Sequence, residues 1–175
     1  MILSHPTLRN AITSGSVASL LSAMMLAHRG RRDAASAAAP VNAVTHFLYG
    51  DRAYRADAPS LRHTALGYAV HHASAVLWAL LYESILRRIA HSSNRGRKVP
   101  LSDRAPTAKP PRLTTGELVA SAAVVTGIAA LTDLRLVPPR LSPGFEHRLE
   151  PGSLVLVYAA LAAGLVLGAA LLRRD

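Results

Sequence analysis

Residues 152–172, GSLVLVYAALAAGLVLGAALL, form 21 consecutive uncharged positions closed by Arg173 and Arg174. A helix needs about 20 apolar residues to cross the hydrocarbon core of a bilayer, and it satisfies its own backbone while doing so. Three further apolar runs precede this one, at 10–28, 64–86 and 118–137. The expected fold is therefore all-α. It is a single transmembrane domain over 1–175, an integral membrane four-helix bundle.

Half of the residues are apolar, yet only 5% are aromatic, so Ala, Leu and Val carry the apolar surface. That suits closely packed lipid-embedded helices better than a water-soluble core. The chain has no cysteine, which excludes disulfides, thiolate metal sites and cysteine nucleophiles. A net charge of +10 invites a nucleic-acid reading. The basic residues, however, sit between the apolar runs, where they act as topology signals. No zinc-finger, helix-turn-helix or aromatic RNA-binding pattern accompanies them, so no nucleic-acid partner is expected.

The first run, Asn10–His28, is the weakest span, with four serines and a threonine. Arg29, Arg31 and Arg32 follow where a signal peptide would have its small-residue cleavage site, which favours an uncleaved span. Ser60, after Pro59, is the expected N-cap of the second span, whose helix should run from Leu61 to about Ala90 and so tilt or protrude. Pro138 and Pro139 end the third, with Asp133 and Arg135 as a snorkelled interfacial pair. Between spans one and two, residues 40–49 predict a short interfacial or re-entrant helix. Pro40 suits its first position, with Val41, Val44 and Leu48 on one face and Asn42, Thr45, His46 and Tyr49 on the other. Residues 92–116 read as a flexible basic linker. Ser142 and Pro143 should start one turn of helix through FEHRL.

Counting Lys and Arg outside the spans gives eleven with the termini and the 2–3 connector, against nine on the opposite side. The densest cluster lies in the 2–3 connector, so both termini are expected in the cytoplasm. The tract from Arg87 to Arg112 could also grip anionic lipid headgroups, at ~1 kcal/mol per basic residue.

That topology gathers most histidines on the outer side. The candidate polar or ligand cluster is His46, His63, His71, His72, Glu83 and Asp133. His71 and His72 stand out, because ionisable groups at membrane depth are costly and mark functional sites. Adjacent helical residues diverge by ~100°, so a metal would need one of the pair plus His46, His63, Asp133 or Glu146 from elsewhere. The plainer expectation is that these rings pack and hydrogen-bond to neighbouring helices. No cofactor is expected, and a metal ion is the alternative. Glu83 should pair with Arg87 at i,i+4, a proton-relay role being the other reading. Ala160, Gly164 and Gly168 form a small-residue stripe, as do Ala122, Thr126 and Ala130, and Gly15, Ser19 and Ala23. Such stripes build the bundle itself or a homodimer face.

PVNAVTHFLYGDRA at 40–53, HHASAVLWALLYE at 71–83 and DLRLVPPRLSPGFEHRL at 133–149 together resemble a family of small four-span bacterial inner-membrane proteins. The resemblance implies a helical membrane fold in the inner membrane and no particular reaction, so no catalytic role carries over. Nor does any nucleophile elbow, phosphate loop, dinucleotide fingerprint or zincin motif occur. The leading expectation is a non-enzymatic integral membrane protein acting through packing, partner or lipid contacts. The alternative is a small transporter or a proton- or metal-handling protein using the histidine-rich side.

Overall fold

The computed structural model of the chain describes residues 5–96 and 113–173. Most of the expected basic linker 92–116, and much of the Arg87–Arg112 tract, lies outside them. Among the described residues the chain is helical throughout, with no strand. Four helices are long and apolar enough to cross a membrane: His5–Asp33, Leu61–Ser93, Thr115–Leu136 and Pro151–Leu172. Each contains or closely overlaps one of the four apolar runs and extends beyond most of them.

The first, α1 (His5–Asp33), is the hub. One of its faces packs on α5 (Leu66–Gly96) and another on α7 (Pro151–Leu172). The fourth long helix, α6 (Thr115–Leu131), lies against α7 and α5 and closes the ring. Glycine permits the closest approaches. A Cβ on Gly15 would lie 2.7 Å from Val76 Cα, and one on Gly168 would lie 2.6 Å from Ser14 Cα. A Cβ on Gly164 would collide with the Ala18 backbone. Thus the Gly164–Gly168 stripe, with half-buried Ala160 on its margin, faces α1 of the same chain.

Polarity is turned inward. Ser14, Ser19, Ser22, Thr126, Ser153 and Glu83 are buried, whereas Leu20, Met24, Leu77, Val124 and Val155 are all more than half exposed. Water would select the reverse. It is the arrangement suited to lipid, where hydroxyls and carboxylates must find partners on their own helix or between helices.

Local sequence sets the helix ends. Ser60 caps the second span as expected: its hydroxyl accepts the His63 N–H at 3.1 Å, and its own N–H donates to Thr64 Oγ1 at 2.9 Å. A π-helical turn over Leu61–Ala65 then leads into α5. Thr114 and Glu117 form a reciprocal capping box at the start of α6. A second π-helical turn, Thr132–Leu136, extends α6 and stops before the Pro138–Pro139 pair. Pro151 opens α7.

The segment between α1 and α5 departs from expectation. In place of one helix over 40–49 there are three short ones: α2 (Ala39–Ala43), α3 (His46–Tyr49) and α4 (Asp51–Tyr54). Both expected faces are buried: Val41 and Val44 join the core, Asn42 and Thr45 are fully buried and His46 nearly so, and of the expected apolar face Leu48 alone, 58% exposed, is left outside. Asn42 accounts for the burial of the polar face. Its amide donates to the Ala56 and Ala58 carbonyls at 2.7 and 3.1 Å, and its oxygen accepts from Thr64 at 2.7 Å. These bonds fold 34–60 into a cap across one end of the bundle. Gly50, at φ +58°, separates α3 from α4. The 137–150 connector lies on the same end. Arg148 ties it to the cap through Asp57 at 2.5 Å and the Tyr54 carbonyl. The expected helical turn after Pro143 is Phe145–His147, preceded by Gly144 at φ +85° against the Ala43 carbonyl.

Candidate functional site

Beneath this cap lies a cavity of about 400 Å³, walled by α1, α5, the end of α6 and α7, and roofed by residues 140–145. Val70, Trp78, Phe145, Val157 and Leu161 supply most of its wall. Small-molecule sites typically occupy ~300–1,000 Å³, are largely apolar, contain a few placed polar groups and often lie between bundle helices.

Two polar pairs face this cavity. Ser22 on α1 meets His71 on α5, Oγ to Nε2 at 2.9 Å. The Ser22 hydroxyl also lies 2.8 Å from the Ala18 carbonyl four residues back. A hydroxyl has one proton; given to that carbonyl, it leaves the oxygen to accept from Nε2–H of the neutral ring. Across the cavity, the Tyr158 hydroxyl on α7 donates to Asp133 Oδ2 at 3.0 Å. Asp133 stands in the π-helical turn that ends the third span. Such turns are frequent where a helix re-aims a functional side chain. Among the described residues, Oδ2 alone of this carboxylate accepts a hydrogen bond. Ser74 and Arg140 border the opening, and both are exposed.

The expected cluster therefore divides. His71 and Asp133 share the cavity. His46 and His63 belong to the cap. His63 Nδ1 meets Thr45 Oγ1 at 2.8 Å, while His46 sits between the Ala43 and Pro139 carbonyls at 3.1 and 3.0 Å. Both carbonyls only accept, so a neutral His46 ring donates to one of them at a time. His72 turns toward Tyr68, with its ring centroid 6.0 Å away and its Nδ1 buried without a partner. Glu83 is at the far end of the bundle. The expected i,i+4 pair with Arg87 is replaced by one across helices: Arg173 at 2.7 Å on Oε2, with Ser14 donating to Oε1 at 2.7 Å. Arg87 instead reaches back toward Thr7 at 3.4 Å. The expected Asp133–Arg135 pair gives way to the Tyr158 bond, because the π-helical turn aims Asp133 inward while Arg135 stays exposed. Among the described residues, no three His, Asp or Glu side chains gather in a way that could hold a metal ion.

Sequence reasoning did not single out Tyr158, Trp78, Ser22 or Arg140 as site residues. Tyr158 left a signal: it is the sole hydrogen-bonding side chain between Leu154 and Leu172.

Comparison with protein-family models, curated proteins and solved structures finds no match.

Proposed function

We propose that this chain is a non-enzymatic multi-pass membrane protein that binds a small amphipathic molecule in the capped cavity. The observation that carries this reading is the cavity itself: about 400 Å³, mostly apolar, with the Ser22–His71 and Asp133–Tyr158 pairs at its polar side. The apolar wall would take the ligand's hydrocarbon body, and the polar pairs would orient its head. Neither pair has the nucleophile–base–orienter geometry of a catalytic centre. The Lys and Arg distribution supports both termini being cytoplasmic, which would put the cavity at the outer face, and the resemblance noted above suggests the inner membrane of a bacterium. The basic tract after Arg87 would then meet anionic lipids on the inner leaflet. A transporter or a proton or metal handler stands second.

Trp78 is the only tryptophan and borders the cavity, so its fluorescence reports occupancy. In phosphatidylcholine nanodiscs, decanol should shift Trp78 emission saturably. Ser74→Phe, which fills the opening from an exposed position, should abolish saturation. A linear response, identical in both proteins, would mean bulk partitioning and would overturn the proposal.

A further inference from the structure

The preferred ligand follows from the charge placed around the cavity, given the binding reading above. We infer that it is an alkyl ammonium amphiphile, whose N–H groups are received by Asp133 and whose chain lies along Trp78 and Leu161. Four observations converge on this.

The first is the direction of the hydrogen bonds. Among the described residues Asp133 is the only acid bordering the cavity, and just one of its oxygens is taken, by Tyr158. The second is the state of His71. With Nε2–H directed at Ser22, the remaining ring nitrogen carries a lone pair and no proton. The deep groups therefore have no proton to offer an acceptor head. The third is a second carboxylate. Glu146 stands close enough to act electrostatically on both Asp133 and Tyr158, and its Oε2 is buried without a hydrogen-bond partner. The fourth is the position of the basic residue that borders the cavity. Arg140 is exposed at the rim, where water screens it, while Asp133 is partly buried. An anionic head would have to approach Asp133 and Glu146 in a medium of low dielectric. A cationic one completes them.

The test uses the full chain in zwitterionic phosphatidylcholine nanodiscs, with Trp78 emission as readout and three ten-carbon probes: decylamine, decanol and decyl sulfate. Decylamine should bind at least about tenfold more tightly than decanol, equivalent to 1.4 kcal/mol. Decyl sulfate should bind most weakly. Asp133→Asn should erase the amine preference while leaving decanol binding, and Asp133→Glu should retain it. Arg140→Gln alters only an exposed side chain and so keeps the test informative if Asp133 variants fail to fold. It should tighten decylamine and weaken decyl sulfate further. Decyl sulfate binding as tightly as decylamine, or an amine preference unchanged in Asp133→Asn, would overturn the ammonium assignment while leaving the pocket intact. If no probe, decanol included, gives a saturable response, the binding reading falls as well.

Discussion

The two ends of the bundle handle buried polarity in opposite ways. At the end where α1 begins and α7 finishes, the polar groups close on one another. Glu83 is 2% exposed and both its oxygens are taken, one by Ser14 and one by Arg173. Tyr82 adds a bond from its hydroxyl to the Leu118 carbonyl at 3.3 Å. All four long helices contribute a group there. At the capped end, the polar groups pair only partly and line a space. Asp133 keeps an oxygen open, His71 keeps a lone pair, and Glu146 keeps a buried oxygen unpartnered. A buried group left unsatisfied costs ~1–3 kcal/mol. One end therefore resembles a fastening, and the other a receptacle whose hydrogen-bonding capacity is reserved for something else.

The sharpest way to break this contrast is to open the closed end. Arg173→Ala leaves Glu83 buried without its counter-charge, and removing one partner of a buried pair costs ~3–5 kcal/mol. Thermal unfolding in micelles should show a large loss, while the double variant Glu83→Leu with Arg173→Leu stays much nearer the parent. A single variant as stable as the parent would mean that the fastening contributes nothing. Next in size is Gly164→Leu, which drives a side chain into the Ala18 backbone; overpacking costs ~1–3 kcal/mol. Gly127→Leu, where a Cβ meets nothing within 4 Å, should be silent in the same assay. If both behaved alike, the α1–α7 contact would not be the organising one. Asn42→Leu removes three hydrogen bonds from the cap and should cost ~2 kcal/mol. The loss should show as faster hydrogen exchange over residues 55–65, with the far end unaffected. Smallest is Tyr158→Phe, at ~1 kcal/mol or less, because Asp133 borders a space that water can enter. Its unfolding temperature should barely move, and a loss rivalling that of Arg173→Ala would make the cavity pair a second fastening.

The four spans were legible because apolar length is a property of a single segment, read without knowledge of its neighbours. The Ser60 cap and the Pro138–Pro139 stop were legible for the same reason. The T-x-x-E box at Thr114–Glu117 was equally local and went unread, since it precedes the apolar run by one turn. What could not be read were pairings across helices. Nothing in the spacing of Glu83 and Arg87 reveals that Arg173, 90 residues away, wins the carboxylate. The cap buries its polar face as well as its valines because Asn42 finds carbonyls at Ala56 and Ala58, a contact that helical periodicity over 40–49 does not contain. His71 was noticed as a costly residue at membrane depth and Asp133 as a charge at the interface and a candidate ligand, which is how half of the site became visible. Ser22 escaped because serine hydroxyls in helices ordinarily bond their own backbone and draw no attention, and Tyr158 because its acceptor lies on another helix.

The central position of α1 has a consequence for biosynthesis. The first of the four spans to leave the ribosome makes its broadest contacts with the fourth, and Arg29 bonds a serine 124 residues further along the chain. Until α7 is made, the groove that receives Gly164 and Gly168 stands empty and Ser14 has no glycine pressed against it. The nascent protein therefore waits, half assembled, with its most polar span lacking its main companion. Any delay or premature stop before Pro151 would strand it in that state, where an insertase would have to shelter it or a membrane protease would find it.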